Sequence, residues 1–175
     1  MTFEWLNKSN VLEMESINRE LFKQDVKMVR NEEGSIYRDV LLGKYHNCSK
    51  MNYALIKEDN GRTVGIIGYY QPNQDPNSIW IGWFGIKEVF RRQGYGKKAL
   101  KGLINYVKKS FPEITTLRVY TGIHENPIAL HLYESLGFER ENKLFKLKED
   151  SDETVVLSMS LDGNPVKYWN EVPIW

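Results

Sequence analysis

Two arginines and two glycines lie together in the segment Arg91-Arg92-Gln93-Gly94-Tyr95-Gly96. An apolar run over residues 78–86 precedes this segment, and an amphipathic pattern rich in lysine follows it over residues 97–111. Glycine permits positive φ angles and lets a ligand approach the main chain closely. A helix that begins at such a turn directs unpaired N–H groups and the positive end of its dipole outward. The segment therefore predicts an anion site, for which phosphate is the usual occupant.

Two common nucleotide-binding motifs do not fit this segment. The dinucleotide motif G-x-G-x-x-G requires glycine at position 99, where the chain has Ala99. The phosphate loop of NTPases requires glycine in place of Arg91, and Ser or Thr in place of Lys98. The segment by itself therefore predicts an anion without naming it.

A second pattern follows downstream, Asn126-Pro127-Ile128-Ala129-Leu130-His131-Leu132-Tyr133-Glu134-Ser135-Leu136-Gly137-Phe138. Together, Arg-x-x-Gly-x-Gly and N-x-x-A-x-x-x-Y-x-x-x-G-F resemble the two signatures of the GNAT acetyltransferase superfamily, in the right order. The resemblance runs from about Ala54 to Leu161 and is least clear in the N-terminal part. It implies a single-domain α/β fold, a GNAT-like acyl-CoA N-acyltransferase fold in which helices flank a mixed, mostly antiparallel sheet. It also implies acetyl-CoA as the co-substrate.

The same resemblance implies a cofactor site around the glycine segment. Backbone amides from Gln93 to Lys97 would hold the pyrophosphate of acetyl-CoA, and a nearby basic side chain would meet its 3′-phosphate. The pantetheine arm would pair with the backbone from Phe84 to Ile86 like an added strand. The implied cofactor-binding residues are Phe84, Ile86, Arg91, Arg92, Gln93, Gly94, Tyr95, Gly96, Lys97 and Asn126.

Two glycines within the preceding run, Gly82 and Gly85, fit a bulge that would free backbone groups for the pantetheine arm. Asn126 has two interpretations. The resemblance makes it a cofactor contact, whereas its position before Pro127 also suits an ordinary helix N-cap.

Tyr133 is the residue expected to take part in catalysis. When an amine attacks a thioester, the departing thiolate needs a proton, and a phenol with a pKa of about 10 can supply one at neutral pH. The alternative is a core aromatic residue, because positions 129, 132, 133 and 136 share one helix face. The resemblance favours the role of Tyr133 as a general acid. The backbone amide of Ile86 is the expected oxyanion donor.

The general base is left open by the sequence. Some family members carry a glutamate on the next strand, where this chain has Thr121. Nearby in sequence are His124, Glu125 and Glu88, and deprotonation through ordered water fits equally well. Cys48 is expected in the helical N-terminal region, away from both motifs, which gives no support to a covalent intermediate.

Composition narrows the class of protein. The chain has 175 residues, a net charge of +1, 41% hydrophobic and 27% charged residues, and one cysteine. These values predict one globular domain without a disulfide framework, and they disfavour nucleic-acid binding through a broad basic face. Neither an apolar run of about 20 residues nor a signal peptide is visible, so a cytoplasmic location without membrane contact is expected. His46 and Cys48 have no obvious companions, so no metal site is expected.

Periodicity predicts the elements that must position these residues. Strands are expected at 2–7, 52–57, 63–70, 78–87, 115–122, 138–148 and 154–161, and helices at 11–29, 36–45, 97–111 and 126–136. Asn60-Gly61 predicts a hairpin with a type I′ turn, which requires positive φ at both residues. The acetyltransferase domain is expected to span 1–163. A tail over 164–175 is expected to pack on this domain or on a second subunit in a homodimer.

The resulting expectation is an N-acetyltransferase that moves an acetyl group from acetyl-CoA to a primary amine by direct attack in a ternary complex. The acceptor would be a small molecule or a peptide. The alternative is a non-catalytic module that binds or senses acyl-CoA, for which the missing strand carboxylate leaves room. An RNA-binding protein that uses the lysine-rich helix is a further rival, and it would show a steep salt dependence.

Overall fold

The computed structural model describes residues 1–22, 35–45, 47–124, 126–146 and 152–173. The described residues form eight strands and four α-helices. The strands are β1 (Thr2–Trp5), β2 (Cys48–Lys57), β3 (Thr63–Pro72), β4 (Ser78–Ile81), β5 (Gly85–Ile86), β6 (Thr116–Gly122), β7 (Glu139–Phe145) and β8 (Thr154–Ser160). The helices are α1 (Val11–Leu21), α2 (Ile36–Leu41), α3 (Tyr95–Ser110) and α4 (Pro127–Glu134). Within these ranges, no helix has the length and apolar character that crossing a membrane requires.

The strands form one sheet in the order β1-β2-β3-β4-β6-β8-β7, and β5 pairs with β3. The β4–β6 pair is parallel, and the other pairs are antiparallel. This arrangement confirms the predicted mixed, mostly antiparallel sheet flanked by helices. Parallel neighbours need a crossover connection, which α3 provides between β5 and β6.

Two hydrophobic layers cover the two faces of the sheet. On one face, α3 buries Leu100, Leu103 and Val107, whose spacing puts them on a single helix side. Tyr133 of α4 belongs to the same layer. On the opposite face, α1 and α2 bury the residues Met14, Ile17, Tyr37 and Val40. The two faces of the sheet are therefore covered by differently built layers.

The turn in the β2–β3 hairpin differs from the predicted type I′ turn. Gly61 has a φ angle of +84°, whereas Asn60 is not among the residues with positive φ. The Gly61 N–H donates to the carbonyl of Glu58 at 2.9 Å, and the Glu58 N–H donates to the carbonyl of Arg62 at 2.9 Å. This is a type I turn followed by a left-handed glycine, so the predicted type I′ turn is wrong. The three-residue loop has one residue more than a type I′ hairpin.

The position of Cys48 also differs from the prediction. It begins β2 and is buried, whereas the sequence placed it in the helical N-terminal region. Burial raises the pKa of its thiol to about 11, so the neutral thiol predominates at physiological pH. The expectation that Cys48 is not a covalent nucleophile is therefore now supported by its burial and raised pKa, and not by a position in a helical region. His46, considered with it as a metal ligand, lies outside the described residues.

Several predicted boundaries also moved. The helix expected over 11–29 ends at Leu21 in the described part, and residues 23–34 lie outside it. The helix expected over 36–45 ends at Leu41, and the lysine-rich helix begins at Tyr95, two residues earlier than expected. The glycine segment therefore runs directly into the first turn of α3.

A buried arginine joins the tail to the sheet. Arg118 donates to the carboxylate of Asp75 at 2.9 Å, to that of Glu141, and to the backbone carbonyl of Lys167 at 2.6 Å. Trp169 packs edge-on against a buried tryptophan of β4, with ring centroids 5.6 Å apart. Burial raises the pKa of Glu141, while Arg118 opposes that change. The described part of the tail thus lies against its own domain.

Candidate active site

The sheet opens between β4 and β6. These strands pair only from Ser78↔Thr116 to Trp80↔Arg118, and the chain then leaves β6 while it stays close to β3. The strand predicted over 78–87 is consequently two strands, β4 and β5. Beyond this point β5 pairs with β3 alone in the described part of the chain, which leaves a gap beside β6.

A one-residue bulge separates β4 from β5. Ile81 lies opposite Tyr69, and Gly85 lies opposite Ile66, so four steps on one strand match three on the other. The Gly82 N–H still donates to β3, to the carbonyl of Gly68 at 2.9 Å. The bulge expected from the two glycines is therefore present. It changes which backbone groups face the gap.

The polar backbone groups of Ile86 point away from β3. The Lys87 N–H donates to the Val64 carbonyl at 2.8 Å, and successive amides along a strand point to opposite sides. The Ile86 carbonyl accepts a hydrogen bond from the Nε of Arg91 at 3.0 Å, which fits this direction. The Ile86 N–H therefore faces the gap, where a ligand carbonyl can reach it.

The first turn of α3 carries a set of free donors. The first backbone bond of the helix runs from the Lys98 N–H to the Gly94 carbonyl, at 3.1 Å. In the described ranges, no backbone N–H from Gln93 to Lys97 has a protein acceptor. Gly94 and Arg92 both have positive φ angles, +80° and +61°. Backbone donors in such a turn form an anion-binding concavity, and the helix dipole adds to its attraction.

Two side chains of the glycine segment hold the loop in place. Arg91, expected to bind the cofactor, is tied to the end of β5 through the Ile86 carbonyl. The hydroxyl of Tyr95 donates to the carboxylate of Glu58, which also binds Arg62 at 2.7 Å. This hydrogen bond lowers the pKa of Glu58 and raises the pKa of Tyr95. Both side chains thus fix the position of the donor turn, a role that the sequence did not reveal.

Gly96 lies where three elements meet. A Cβ built on it would lie 3.3 Å from Leu132 of α4, 3.7 Å from Phe84 and 3.9 Å from Ile86. The side chains of Phe84 and Ile86 therefore pack beneath the first turn of α3, and their backbone borders the gap. This packing is consistent with the prediction that Phe84 and Ile86 lie beside the turn that would bind the cofactor.

Tyr133 is buried in the hydrophobic layer on the α3 side of the sheet. It shares a hydrophobic layer with Ile81 and Val119, the residues at which β4 and β6 separate. Only 5% of its surface is exposed, and burial raises its pKa well above the usual value, so the phenol remains protonated. No described group bonds its hydroxyl, and Phe138 packs against the ring with centroids 5.6 Å apart. Among the described residues, the hydroxyl therefore has no hydrogen-bond partner.

Asn126 stands at the N-cap position of α4, but its side chain makes no capping hydrogen bond and is exposed. Its amide is therefore free to bind a ligand. Of the base candidates, His124 and Glu88 are exposed, and Glu125 lies outside the described residues. Thr121 lies in β6, opposite Val155. No cluster of potential metal ligands occurs within the described ranges.

One residue beside the gap escaped the sequence analysis. The Tyr53 ring lies over Gly68 and Gly82, and its hydroxyl would be 3.0 Å from a Cβ at Gly82. No motif marks Tyr53; the two-residue period of β2 is its only local signal. The structure brings its hydroxyl to the bulge from the α1–α2 face.

Comparisons with known proteins point to one family. The sequence model of the Acetyltransferase (GNAT) family matches residues 13–138. The chain is 32% identical over 81 residues to a spermine/spermidine N(1)-acetyltransferase of Bacillus subtilis (strain 168), which covers 46% of this chain and 51% of that protein. A probable spermine N(1)-acetyltransferase of Bacillus subtilis subsp. natto is 31% identical over the same length, with the same coverage. The chain thus spans about half the length of the curated relatives it matches.

A solved structure extends the similarity to the whole fold. The spermidine N-acetyltransferase of Vibrio cholerae, in complex with CoA and spermine, has a TM-score of 0.70 and 14% identity. The match covers 91% of this chain and 95% of that one. At this identity the match concerns the fold alone, whereas the family match spans most of the chain and includes the glycine segment and Tyr133. The chain belongs to the GNAT acetyltransferase family.

Proposed function

We propose that the protein transfers an acetyl group from acetyl-CoA to a primary amine by direct attack in a ternary complex. The observation that carries this proposal is the opening between β4–β5 and β6, beside a helix N-terminus whose amides have no acceptor among the described residues. A thioester in the gap and a pyrophosphate on the turn would use both features. The family and the names of the relatives support acyl transfer to an amine.

In the proposed complex, the pyrophosphate accepts hydrogen bonds from the amides of Gln93 to Lys97. Arg92 and Lys97, which are exposed, supply positive charge nearby. The pantetheine arm pairs with the free backbone edge from Phe84 to Ile86. Asn126 adds a side-chain contact. Acetyl-CoA is a substrate, and the chemistry proposed below needs no metal.

Each group takes part in one step of the proposed reaction. The acceptor loses a proton to water before its nitrogen attacks the thioester carbon. The Ile86 N–H stabilises the developing oxyanion. The carbon–sulfur bond then breaks, Tyr133 gives its proton to the departing thiolate, and solvent restores the phenol. The surplus proton on nitrogen also passes to water, so the products are an amide and free CoA.

Tyr133→Phe tests the chemical assignment. The ring and its packing stay, whereas the proton donor is lost, so kcat should fall by about 10²-fold, the lower range for general acid catalysis. Free CoA is measured with a thiol reagent across a panel of primary amines that includes polyamines. Tyr106→Phe, on α3, is the matched control and should leave kcat unchanged.

The alternatives give different outcomes. A non-catalytic acyl-CoA-binding module would bind acetyl-CoA in calorimetry but release no CoA with any amine. Absence of acetyl-CoA binding would contradict the whole proposal. An unchanged kcat in Tyr133→Phe would refute only the acid assignment and leave acetyl transfer in place.

A further inference from the structure

Four side chains form a closed ring of contacts beside the glycine segment. The hydroxyl of Tyr95 donates to one carboxylate oxygen of Glu58, and the Nε of Arg62 donates to the other at 2.7 Å. The Arg62 guanidinium lies over the ring of Phe90, 5.3 Å from its centroid. The Phe90 ring in turn meets the Tyr95 ring edge-on, with centroids 6.2 Å apart. We call these four residues the hairpin cluster, because Glu58 and Arg62 belong to the turn between β2 and β3.

The hairpin cluster holds both ends of the loop 91–94. Phe90 precedes this loop, and Tyr95 follows it as the first residue of α3. The four loop residues are exposed, and Arg92 and Gly94 have positive φ angles, +61° and +80°. A positive φ angle is unfavourable for arginine and persists where the surrounding structure holds it. The loop therefore requires support from its neighbours.

The loop has two kinds of support. Arg91 and Gln93 bind the carbonyls of Ile86 at 3.0 Å and Val89 at 3.1 Å, which lie a few residues earlier in the same segment. The bond from Tyr95 to Glu58 instead joins residues that are 37 positions apart. The hairpin cluster therefore fixes the loop to the sheet through the β2–β3 turn.

The charge of Glu58 is balanced within the hairpin cluster. Its side chain is 13% exposed, and both of its oxygens accept hydrogen bonds. The bonds from Tyr95 and Arg62 lower the pKa of Glu58, so its carboxylate is ionised at neutral pH. An unbalanced carboxylate would repel a pyrophosphate on the neighbouring turn, whereas the guanidinium of Arg62 compensates it. Glu58 can therefore act as a hydrogen-bond acceptor beside an anion site.

We propose that Glu58 is a positioning residue that acts through Tyr95 and holds the loop 91–94 in the conformation that binds the pyrophosphate of acetyl-CoA. This proposal rests on the acetyl-CoA site proposed above. The Tyr95 N–H is one of the proposed pyrophosphate donors, and its hydroxyl binds Glu58. The donors are thus aligned before the ligand arrives, which reduces the conformational cost of binding. Glu58 therefore affects the affinity for acetyl-CoA, and not the chemical step.

Glu58→Ala and Tyr95→Phe test the proposal, because each removes the hydrogen bond between these residues. In either variant the dissociation constant of CoA, measured by calorimetry, should rise about fivefold, as for the loss of one hydrogen bond. The KM for acetyl-CoA should rise similarly, with kcat and the KM for the amine nearly unchanged. In a Glu58→Ala protein, Tyr95→Phe should have no further effect, because both changes remove the same contact.

Glu58→Gln separates the hydrogen bond from the charge. The amide oxygen still accepts the Tyr95 hydroxyl, so the dissociation constant of CoA should stay within about twofold of the wild-type value. Glu113→Ala is the matched control. Glu113 binds Lys50 at 2.7 Å, but it follows the C-terminal end of α3, opposite the glycine segment. Its loss should leave the dissociation constant unchanged.

The outcomes distinguish this proposal from the proposed function. Wild-type affinity for CoA in both Glu58→Ala and Tyr95→Phe would overturn the positioning role and leave acetyl transfer in place. A Glu58→Gln protein as weak as Glu58→Ala would also overturn it, because the charge would then be decisive. Wild-type protein that does not bind CoA would contradict the proposed function instead.

In that last case, hydrogen exchange of the Lys98 N–H decides. This N–H makes the first backbone bond of α3, to the Gly94 carbonyl at 3.1 Å. Local opening of the loop would expose it to exchange. Exchange about fivefold faster in Tyr95→Phe than in the wild type would support the positioning role, and equal exchange would overturn it.

Discussion

Gly65→Ala tests whether the position of β5 controls catalysis. A Cβ at Gly65 would lie 2.1 Å from the carbonyl oxygen of Gly85 and 3.0 Å from the Cα of Ile86. The added methyl group meets backbone, which cannot rotate away. Contacts of this kind essentially never fall below 3.0 Å, so β5 must move away from β3 by roughly 0.9 Å, the difference between 3.0 Å and 2.1 Å. The Ile86 amide, the proposed oxyanion donor, would move with it.

A displacement of this size has two measurable effects. A misplacement of about 1 Å costs about 10²-fold in rate, so kcat/KM should fall by about that factor. The backbone bonds between β3 and β5, including the one from Lys87 to Val64 at 2.8 Å, would weaken. Each contributes about 0.5–1.5 kcal/mol, so the free energy of unfolding should fall by about 1–3 kcal/mol. Steady-state CoA release and urea unfolding measure the two quantities.

Gly61→Ala, in the same hairpin, separates lost stability from lost geometry. Gly61 has a φ angle of +84° and no atom within 4 Å of its built Cβ, so alanine there brings strain without a clash. We expect a loss of about 1–2 kcal/mol in unfolding free energy with kcat/KM nearly unchanged. Equal kcat/KM values for the Gly65→Ala and Gly61→Ala proteins would refute the idea that β5 holds the Ile86 amide in a fixed position.

Two further predictions concern buried ionisable groups. Because burial raises the pKa of the Cys48 thiol to about 11, its alkylation by iodoacetamide should stay slow through pH 8 in the native protein and accelerate towards pH 11. In urea the rate should rise near pH 8.5, the usual thiol pKa, and equal native and unfolded profiles would contradict the burial. Arg118→Met should cost about 3–5 kcal/mol of unfolding free energy, because it leaves the carboxylates of Asp75 and Glu141 uncompensated. The exposed Arg140→Met should cost about 0–1 kcal/mol, and equal losses would refute a buried network.

The sequence could predict the glycine turn at the start of α3 because its signals are local. Gly94 and Gly96 lie within one turn, and the start of α3 follows from them directly. Tyr133 belongs to a pattern contained in a single helix. The bulge was also predictable, since Gly82 and Gly85 interrupt one apolar run. Each of these features depends on neighbours in the chain.

The remainder depends on which strands become neighbours. Tyr53 and Tyr120 lie on β2 and β6, far apart in sequence, and only the sheet order puts both beside one opening. The tie from Arg91 to the Ile86 carbonyl requires the bulge, because without it the alternation of backbone groups would differ. The type I′ turn failed for a similar reason: Asn60-Gly61 also fits a three-residue loop, and the pairing register of β2 and β3 selects between the two.

The bulge lies in the sheet between the two hydrophobic layers. Trp83 packs in the layer of α1 and α2, while Phe84 packs in the opposite layer near Gly96. Adjacent side chains on extended backbone point to opposite faces, so one short segment contacts both layers. The register of this segment therefore determines which side chain each layer receives.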